Sequence, residues 1–348
     1  MQSIHARNVS EALYLAKQAL EVNGVEVQTR NGAALEFPTP VMTTYTDSRE
    51  RVLFYPQRDA NPYFHFMESL WMLAGRNDVE WISQFNGRIN TYSDDGEHFH
   101  GAYGFRWREW FTKDQLLTAI HRLRNYPNDR RTVIGMWDPW EDLQEDNDGK
   151  DYPCNTQIYF WSRKGKLNMT VANRSNDMIW GAYGANAVHM SFLLEYMATM
   201  CGLRVGIYYQ FSNNLHAYVD TLQKLDNLPL DYEPYLTIAD DGLSYASPPL
   251  IDNPATFDQE LSQWFKRWGG DNEASKTRLK HNNRRRVEDT GAINDYLNTT
   301  ATPMIKSWKA WKSKDTNKLF MDEAIIEATT INDRAWRKAC LEWLERRT

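Results

Sequence analysis

The 348 residues predict an α+β fold with an all-helical C-terminal extension, on three observations. Segments of β-branched and aromatic character alternate with helical ones, without the strand–helix–strand period of a doubly wound parallel sheet. Hydrophobic residues make up 42% of the chain and aromatic ones 13%, which is enough to bury a sizeable core. After about Pro254 the strand-like segments cease and charged, Trp-rich helical ones take over. A main domain over residues 1–253 and a helical extension over 254–348 follow from that change.

In chain order, "SEALYLAKQALEVNG" opens on a capping serine, Ser10, carries Leu13, Leu15, Ala16 and Leu20 at near-helical spacing, and closes on Asn23–Gly24. "PVMTTYT" and "RVLFY" have strand composition, and "NPYFHFMESLWMLAG" is a buried helix that starts behind Pro62 and ends at Gly75. A further helix is expected at "VEWISQFNGRI". "DQLLTAIHRLRNYPND" is an amphipathic helix that feeds the strand "RRTVIGMWDP", and "EDLQEDNDGKD" is a solvated acidic loop. "NTQIYFW" and "KLNMTVANRS" form a hairpin over "SRKGK"; a long apolar helix, "ANAVHMSFLLEYMATMCG", and the strand "RVGIYYQFS" follow. "LSQWFKRW", "PMIKSWKAWKSK" and "INDRAWRKACLEWLERRT" are the helices of the extension. "ASKTRLKHNNRRRVEDTGA" between them reads as an exposed linker or basic patch. "GAYG" occurs at Gly101 and Gly181 in unlike surroundings and marks no repeat.

The composition excludes several classes of function. No apolar run approaches the roughly 20 residues that span a bilayer, and no signal-peptide block is visible, so a cytoplasmic protein without a membrane partner is expected. Cys154, Cys201 and Cys340 are far apart, with no C-x-x-C pair and no metal-ligand spacing, so reduced thiols and no metal are expected. A net charge of −6 speaks against bulk nucleic-acid binding and confines any anion site to a local cluster.

The most informative stretch is "DYPCNTQIYFW", which sets Cys154 between a proline and a strand. A cysteine beside a strand is ordinarily core filling. Here arginines accumulate around it in the sequence: Arg130 and Arg131 at the head of the preceding strand, and Arg174 at the end of the hairpin. Guanidinium groups lower the pKa of a nearby thiol and grip a phosphate in fork geometry. A thiolate next to a phosphate site is the expectation.

With these residues in view, the chain resembles the thymidylate synthase family, including its hydroxymethylase branch that acts on deoxypyrimidine monophosphates. "MESLWMLAG", "GAYGFRWR", "NDRRTVIGMWDP", "PCNTQIYFW", "RSNDMIWG" and "SNNLHAY" match its motifs in one order, from about Arg30 to Asp220. The resemblance implies a mixed sheet packed with helices, with one sheet face forming a homodimer interface. It implies catalytic roles for Cys154, as nucleophile at the pyrimidine C6, and for Glu68 and Tyr103. Arg30, Arg130, Arg131, Arg174 and Ser175 would bind substrate, chiefly its 5′-phosphate, with the paired arginines reaching across the dimer. His216 and Tyr218 would hold the sugar, Asp177 would lie near the base edge, and Asn186 would read the base. Trp71, Tyr92 and Asp177 would contact the one-carbon donor, 5,10-methylenetetrahydrofolate. An amide at Asn186 suits the N3–H and O4 of uracil, so dUMP is preferred over dCMP.

Three departures favour a hydroxymethyl product over a methyl one. Asn155 stands where the methylating enzymes have histidine, "RINTYSDDGEHFHGAYG" carries no tryptophan, and "LEWLERRT" lacks a short apolar tail. Water that reaches an exocyclic methylene competes with hydride transfer. The alternatives are thymidylate synthase, dCMP hydroxymethylase, a nucleic-acid-binding protein that uses "KHNNRRR" on the same scaffold, and a cysteine hydrolase, for which His189 and His216 lack the surrounding motifs.

Overall fold

The computed structural model describes every residue except 145–148, 230–234, 236–246, 270–293 and 316–318. Part of the acidic loop and the whole "ASKTRLKHNNRRRVEDTGA" stretch fall outside the described residues. The chain forms two compact units, Met1–Ala60 with Arg106–Tyr232, and Asn61–Phe105 with Glu233–Thr348.

The first unit holds all ten strands found among the described residues. A six-stranded mixed sheet is built from β1 (Gln2–Ala6), β4 (Val41–Tyr45), β9 (Arg204–Ser212), β7 (Lys166–Asn173), β6 (Asn155–Arg163) and β5 (Val133–Gly135), in that spatial order. A smaller sheet runs β2 (Val25–Thr29), β3 (Gly32–Glu36), β10 (Leu215–Tyr218), β8 (Asn176–Asp177). Pairing is parallel for β1–β4, β7–β9 and β8–β10 and antiparallel elsewhere. Along β9 buried Gly206, Tyr208, Gln210 and Ser212 alternate with half-buried Val205, Ile207, Tyr209 and Phe211, so both faces of the strand are largely covered. Helices α1 (Val9–Asn23), α3 (Gln115–Asn125) and α4 (Asn186–Met200) accompany the strands. Helix α4 is buried on nearly every face, which explains an apolar run with no polar stripe.

Local details differ from the sequence reading. The cap of α1 is Asn8, whose Oδ1 accepts from the Glu11 amide at 3.0 Å, while Ser10 lies inside the helix. "RVLFY" is buried but joins no ladder; it ends in a single turn, Pro56–Arg58, because an apolar run signals burial and not strand pairing. The expected helix over "VEWISQFNGRI" divides into Val79–Ser83 and a 3-10 turn, Gly87–Tyr92. Strand β5 is only three residues long and begins after both arginines of "RRTVIG".

The second unit is helical. Helix α2 (Pro62–Leu73) starts on Asn61, which caps the Phe64 amide at 3.1 Å, with Pro62 at the first helical position. Its residues from His65 to Leu73 are all buried. The C-terminal helices α5 (Phe257–Trp268), α6 (Thr302–Lys312), α7 (Phe320–Thr329) and α8 (Arg334–Glu345) belong to this unit and supply much of α2's cover. Trp336 packs edge-on against Phe66, Trp343 against Tyr63, and the Tyr63 hydroxyl meets Ser307 Oγ at 2.6 Å. Trp81 packs against Trp264 and Phe265 of α5. The Trp-rich extension therefore encloses the helix that carries Glu68. The boundary at residue 253 stays a proposal about how the chain is divided. Trp264 is fully buried and its Nε1 donates to Thr302 at 3.0 Å, so Trp264→Ala is expected to cost about 3–5 kcal/mol, measured by denaturant unfolding. Among the described residues no helix is long and apolar enough to cross a membrane.

Candidate active site

In the first unit the site grows from the β6–β7 hairpin. Cys154 is the residue before β6, and Arg174 follows the end of β7; their backbones are joined by the Arg174 amide donating to the Cys154 carbonyl at 3.0 Å. The Arg174 side chain turns back over the thiol. Its Nε donates to Pro153 O at 3.0 Å, its Nη2 to Tyr152 O at 3.3 Å, and the same Nη2 lies 4.0 Å from Cys154 Sγ. The carbonyls of Tyr152 and Pro153, just ahead of the cysteine, thus aim the guanidinium at the sulfur. The Trp137 ring lies 5.5 Å from that guanidinium and walls it on one side.

Ser175 is half-buried in the link to β8 and Asp177 ends that strand. Asp177 Oδ1 accepts from the Ile179 and Trp180 amides at 2.8 and 2.6 Å, while its buried Oδ2 has no partner among the described residues. Burial pushes the Asp177 carboxyl above its ordinary range, against the pull of those amides, His216 and Arg58. His216 is paired in register with Asp177 across β8–β10, its Nδ1 lies 2.7 Å from Asn214 Oδ1, and its ring is edge-on to Tyr218 at 5.5 Å. Arg30 is exposed in the β2–β3 turn, beside Asn31, whose Nδ2 donates to the Tyr218 hydroxyl at 3.2 Å. Asn186 opens α4 and gives its Nδ2 to Asn176 Oδ1 at 3.0 Å, which leaves Oδ1 as the acceptor for a donor. A Cβ on Gly181 would fall 2.7 Å from Asn176 Oδ1, so only glycine leaves room for that pair.

Arg130 and Arg131 are not beside Cys154 in their own chain. The Thr132 carbonyl accepts from Phe160, so both arginines lie at the far end of β6, about 20 Å from Cys154 at roughly 3.3 Å per residue. Both are exposed, Arg131 with 81% of its side chain open and its Nε 3.4 Å from Asp129. Nearness of motifs in sequence misled here, because an antiparallel register carries the head of one strand to the tail of its neighbour.

The expected depression of the thiol pKa is also corrected. Burial pushes Cys154 above its ordinary value; Arg174 pulls it down, and Asp177 and Asp151 push it up. Alkylation of Cys154 by iodoacetamide, followed by peptide mass spectrometry, should therefore reach half its maximal rate above the ordinary thiol range. In Arg174→Ala the midpoint should move higher still, because the one stabilising charge is gone.

The second unit carries Glu68, Tyr103, Trp71 and Tyr92. Glu68 is 8% exposed on α2, between buried Met67 and Leu70. Tyr103 opens a short turn, Tyr103–Phe105, that presses on α2: a Cβ on Gly104 would sit 2.0 Å from Met72 O. Trp71 does not offer a face to a cofactor. It is 2% exposed, its Nε1 donates to Asp78 at 3.1 Å and its ring meets Phe99, so it is a core side chain. Tyr92 is 61% exposed at the end of the Gly87–Tyr92 turn.

The sequence reading missed Arg58 and Trp180. Arg58 is buried, donates to Ile179 O at 3.1 Å and stacks 4.0 Å over Trp180, whose ring is 51% exposed beside Asp177. Burial lowers the Arg58 pKa to about 10. An exposed tryptophan one helical turn after a capping aspartate is the signal that was available.

With this geometry in view, residues 15–240 match the family model described as thymidylate synthase. The chain belongs to the thymidylate synthase family. It is 42% identical to a deoxyuridylate hydroxymethyltransferase of Pseudomonas phage M6 over all of this chain and 95% of that one. A deoxyuridylate hydroxymethyltransferase of Bacillus phage SP01 is 37% identical over 60% of this chain and 57% of its own length. A thymidylate synthase of Symbiobacterium thermophilum is 32% identical over 48% of this chain and 62% of that protein. The crystal structure of the T4 phage thymidylate synthase superposes with a TM-score of 0.50 at 22% identity, over 63% of this chain and 81% of that one, and shares the fold. The thymidylate synthase-like α+β fold is thus the one the sequence implied, and the chain is a one-carbon transferase that draws on methylenetetrahydrofolate.

Proposed function

We propose that the protein is a homodimeric hydroxymethyltransferase that converts dUMP to its 5-hydroxymethyl derivative. The observation that carries this reading is the Cys154 thiol held under the Arg174 guanidinium, with Asp177, His216 and Asn186 on the strands and helix around it. The full-length similarity to a phage deoxyuridylate hydroxymethyltransferase supports hydroxymethylation of dUMP over methylation or a dCMP substrate.

Cys154 adds as thiolate to C6 of the uracil ring, forming the S–C6 bond and turning C5 into an enolate carbon. The folate supplies an electrophilic one-carbon unit at the oxidation level of formaldehyde. Glu68, a buried carboxylate on α2, moves protons during loss of the C5 hydrogen, and Tyr103 assists it. C5 bonds to that one-carbon unit, loss of the C5 proton would break the unit's bond to the folate nitrogen and leave an exocyclic methylene on the ring, water adds to the methylene, and the returning electrons break the S–C6 bond to restore the thiolate. No hydride is consumed, so the folate leaves as tetrahydrofolate.

Arg174 and Ser175 bind the 5′-phosphate, helped by Arg30, and His216 and Tyr218 hold the sugar. Asn186 presents Oδ1 to the uracil N3–H. The buried Asp177 Oδ2, without a hydrogen-bond partner among the described residues, fits the N–H donors of a folate heterocycle, and Asp177 is the residue of the first unit that would hold it.

Dimerisation is supported by the open face of the large sheet. Val133, Tyr159, Thr170 and Tyr209 form one in-register row, and Gln157, Ala172 and Phe211 the next. Val133 and Tyr159 are 42% and 39% exposed, an apolar display that soluble monomers seldom leave uncovered. The position of Arg130 and Arg131 at that sheet's edge supports a role for them in a partner's phosphate site.

Incubation with dUMP and methylenetetrahydrofolate, with mass analysis of the nucleotide, should give the hydroxymethyl product without dihydrofolate. A methyl product with stoichiometric dihydrofolate would show a thymidylate synthase instead.

A further inference from the structure

Beside the thiol, a row of polar side chains crosses the six-stranded sheet. Asn155 on β6 is the register partner of Asn173 on β7, and Asn173 that of Ser212 on β9. Register partners on neighbouring strands point to the same face of a sheet. This is the interior face, since Asn155 is 0%, Asn173 1% and Ser212 1% exposed. The row continues through Asn176 Nδ2 to Ser212 Oγ at 3.2 Å, and through Asn186 Nδ2 to Asn176 Oδ1 at 3.0 Å. It thus joins the residue after the nucleophile to the residue expected to read the base.

The row is open at one end. Asn173 Nδ2 donates to Phe211 O at 2.9 Å, but Asn173 Oδ1 and both polar atoms of the Asn155 amide have no hydrogen-bond partner among the described residues. Turning the Asn155 amide over does not change this, since neither of its atoms is engaged. A buried, unused amide weakens the folded state relative to an apolar side chain of the same shape. The backbone at this point is irregular as well. The β6–β7 register shifts between Asn155 and Gln157, and the Thr156 carbonyl accepts from both Met136 and Trp137, at 2.9 and 3.3 Å. Bulges of this kind re-aim side chains beside active sites.

We propose that Asn155 is a positioning residue for the pyrimidine ring, and that its amide is completed only when a nucleotide base lies against Cys154. The ligand chemistry it fits is a ring carbonyl of a planar pyrimidine, to which the Asn155 amide nitrogen donates while Asn186 takes the single ring N–H. The proposal rests on the reading of Cys154 as the nucleophile for a pyrimidine nucleotide.

The test sets stability against affinity. Asn155→Leu should melt no lower than the parent protein in the absence of nucleotide, and should bind dUMP about tenfold more weakly by calorimetry, as expected for the loss of hydrogen bonds to a buried ligand. Unchanged dUMP affinity in Asn155→Leu would overturn the proposal at any melting temperature. Should the leucine variant fail to fold, Asn155→Ser, smaller and without the amide, is held to the same affinity criterion. If the parent protein itself neither binds dUMP nor releases tritium from its C5, the functional reading fails, and not this inference alone.

Discussion

Cys154→Ser is expected to lower both product formation and release of tritium from C5-labelled dUMP by about a thousandfold or more. A serine hydroxyl at this position stays protonated at any working pH, and Arg174 Nη2, 4.0 Å from the sulfur, would then face a neutral atom. The two readouts should fall together, because activation of C5 depends on the bond at C6. The substitution removes little volume from a half-buried site, so the melting temperature should change little. Tritium release that persists at the parent rate would remove Cys154 from the mechanism.

A chain carrying both Arg130→Ala and Arg131→Ala should be nearly inactive alone, yet should regain activity when reassociated with Cys154→Ser chains. In one protomer these arginines lie about 20 Å along β6 from the thiol, too far for an arginine side chain to bridge, so in the proposed dimer the phosphate they bind would be the partner's. Random reassociation makes half of the dimers mixed, and each mixed dimer has one site with both lesions and one with none. About a quarter of the parent activity should return, measured as dUMP turnover on the reassociated dimer fraction. Mixed dimers that form and stay inactive would show that the arginines serve no neighbouring site.

Much of the fold was legible because its signals are local. The strand composition of "RVGIYYQFS", the turn in "SRKGK" and the apolar run of "ANAVHMSFLLEYMATMCG" became β9, the β6–β7 hairpin and α4. "RVLFY" misled, since burial and strand pairing leave the same composition. The two-residue β8 was invisible, although it is the strand that sets Asp177 beside His216. Trp71 next to the Glu68 motif looked like a cofactor contact, but a buried ring with its N–H given to Asp78 has no face left to offer.

By itself the sequence determined the residue types of the chemistry: one thiol after a proline, a carboxylate in an apolar helix, and amides and arginines in motifs of fixed order. Tertiary structure alone decided which of them meet. It kept Arg174 at Cys154, carried Arg130 and Arg131 to the far end of the strand, and raised the thiol pKa where the arginine count suggested a fall. The reason is physical: periodicity and composition are properties of neighbours along the chain, whereas strand register, desolvation and the balance of charges arise only when distant segments are brought together.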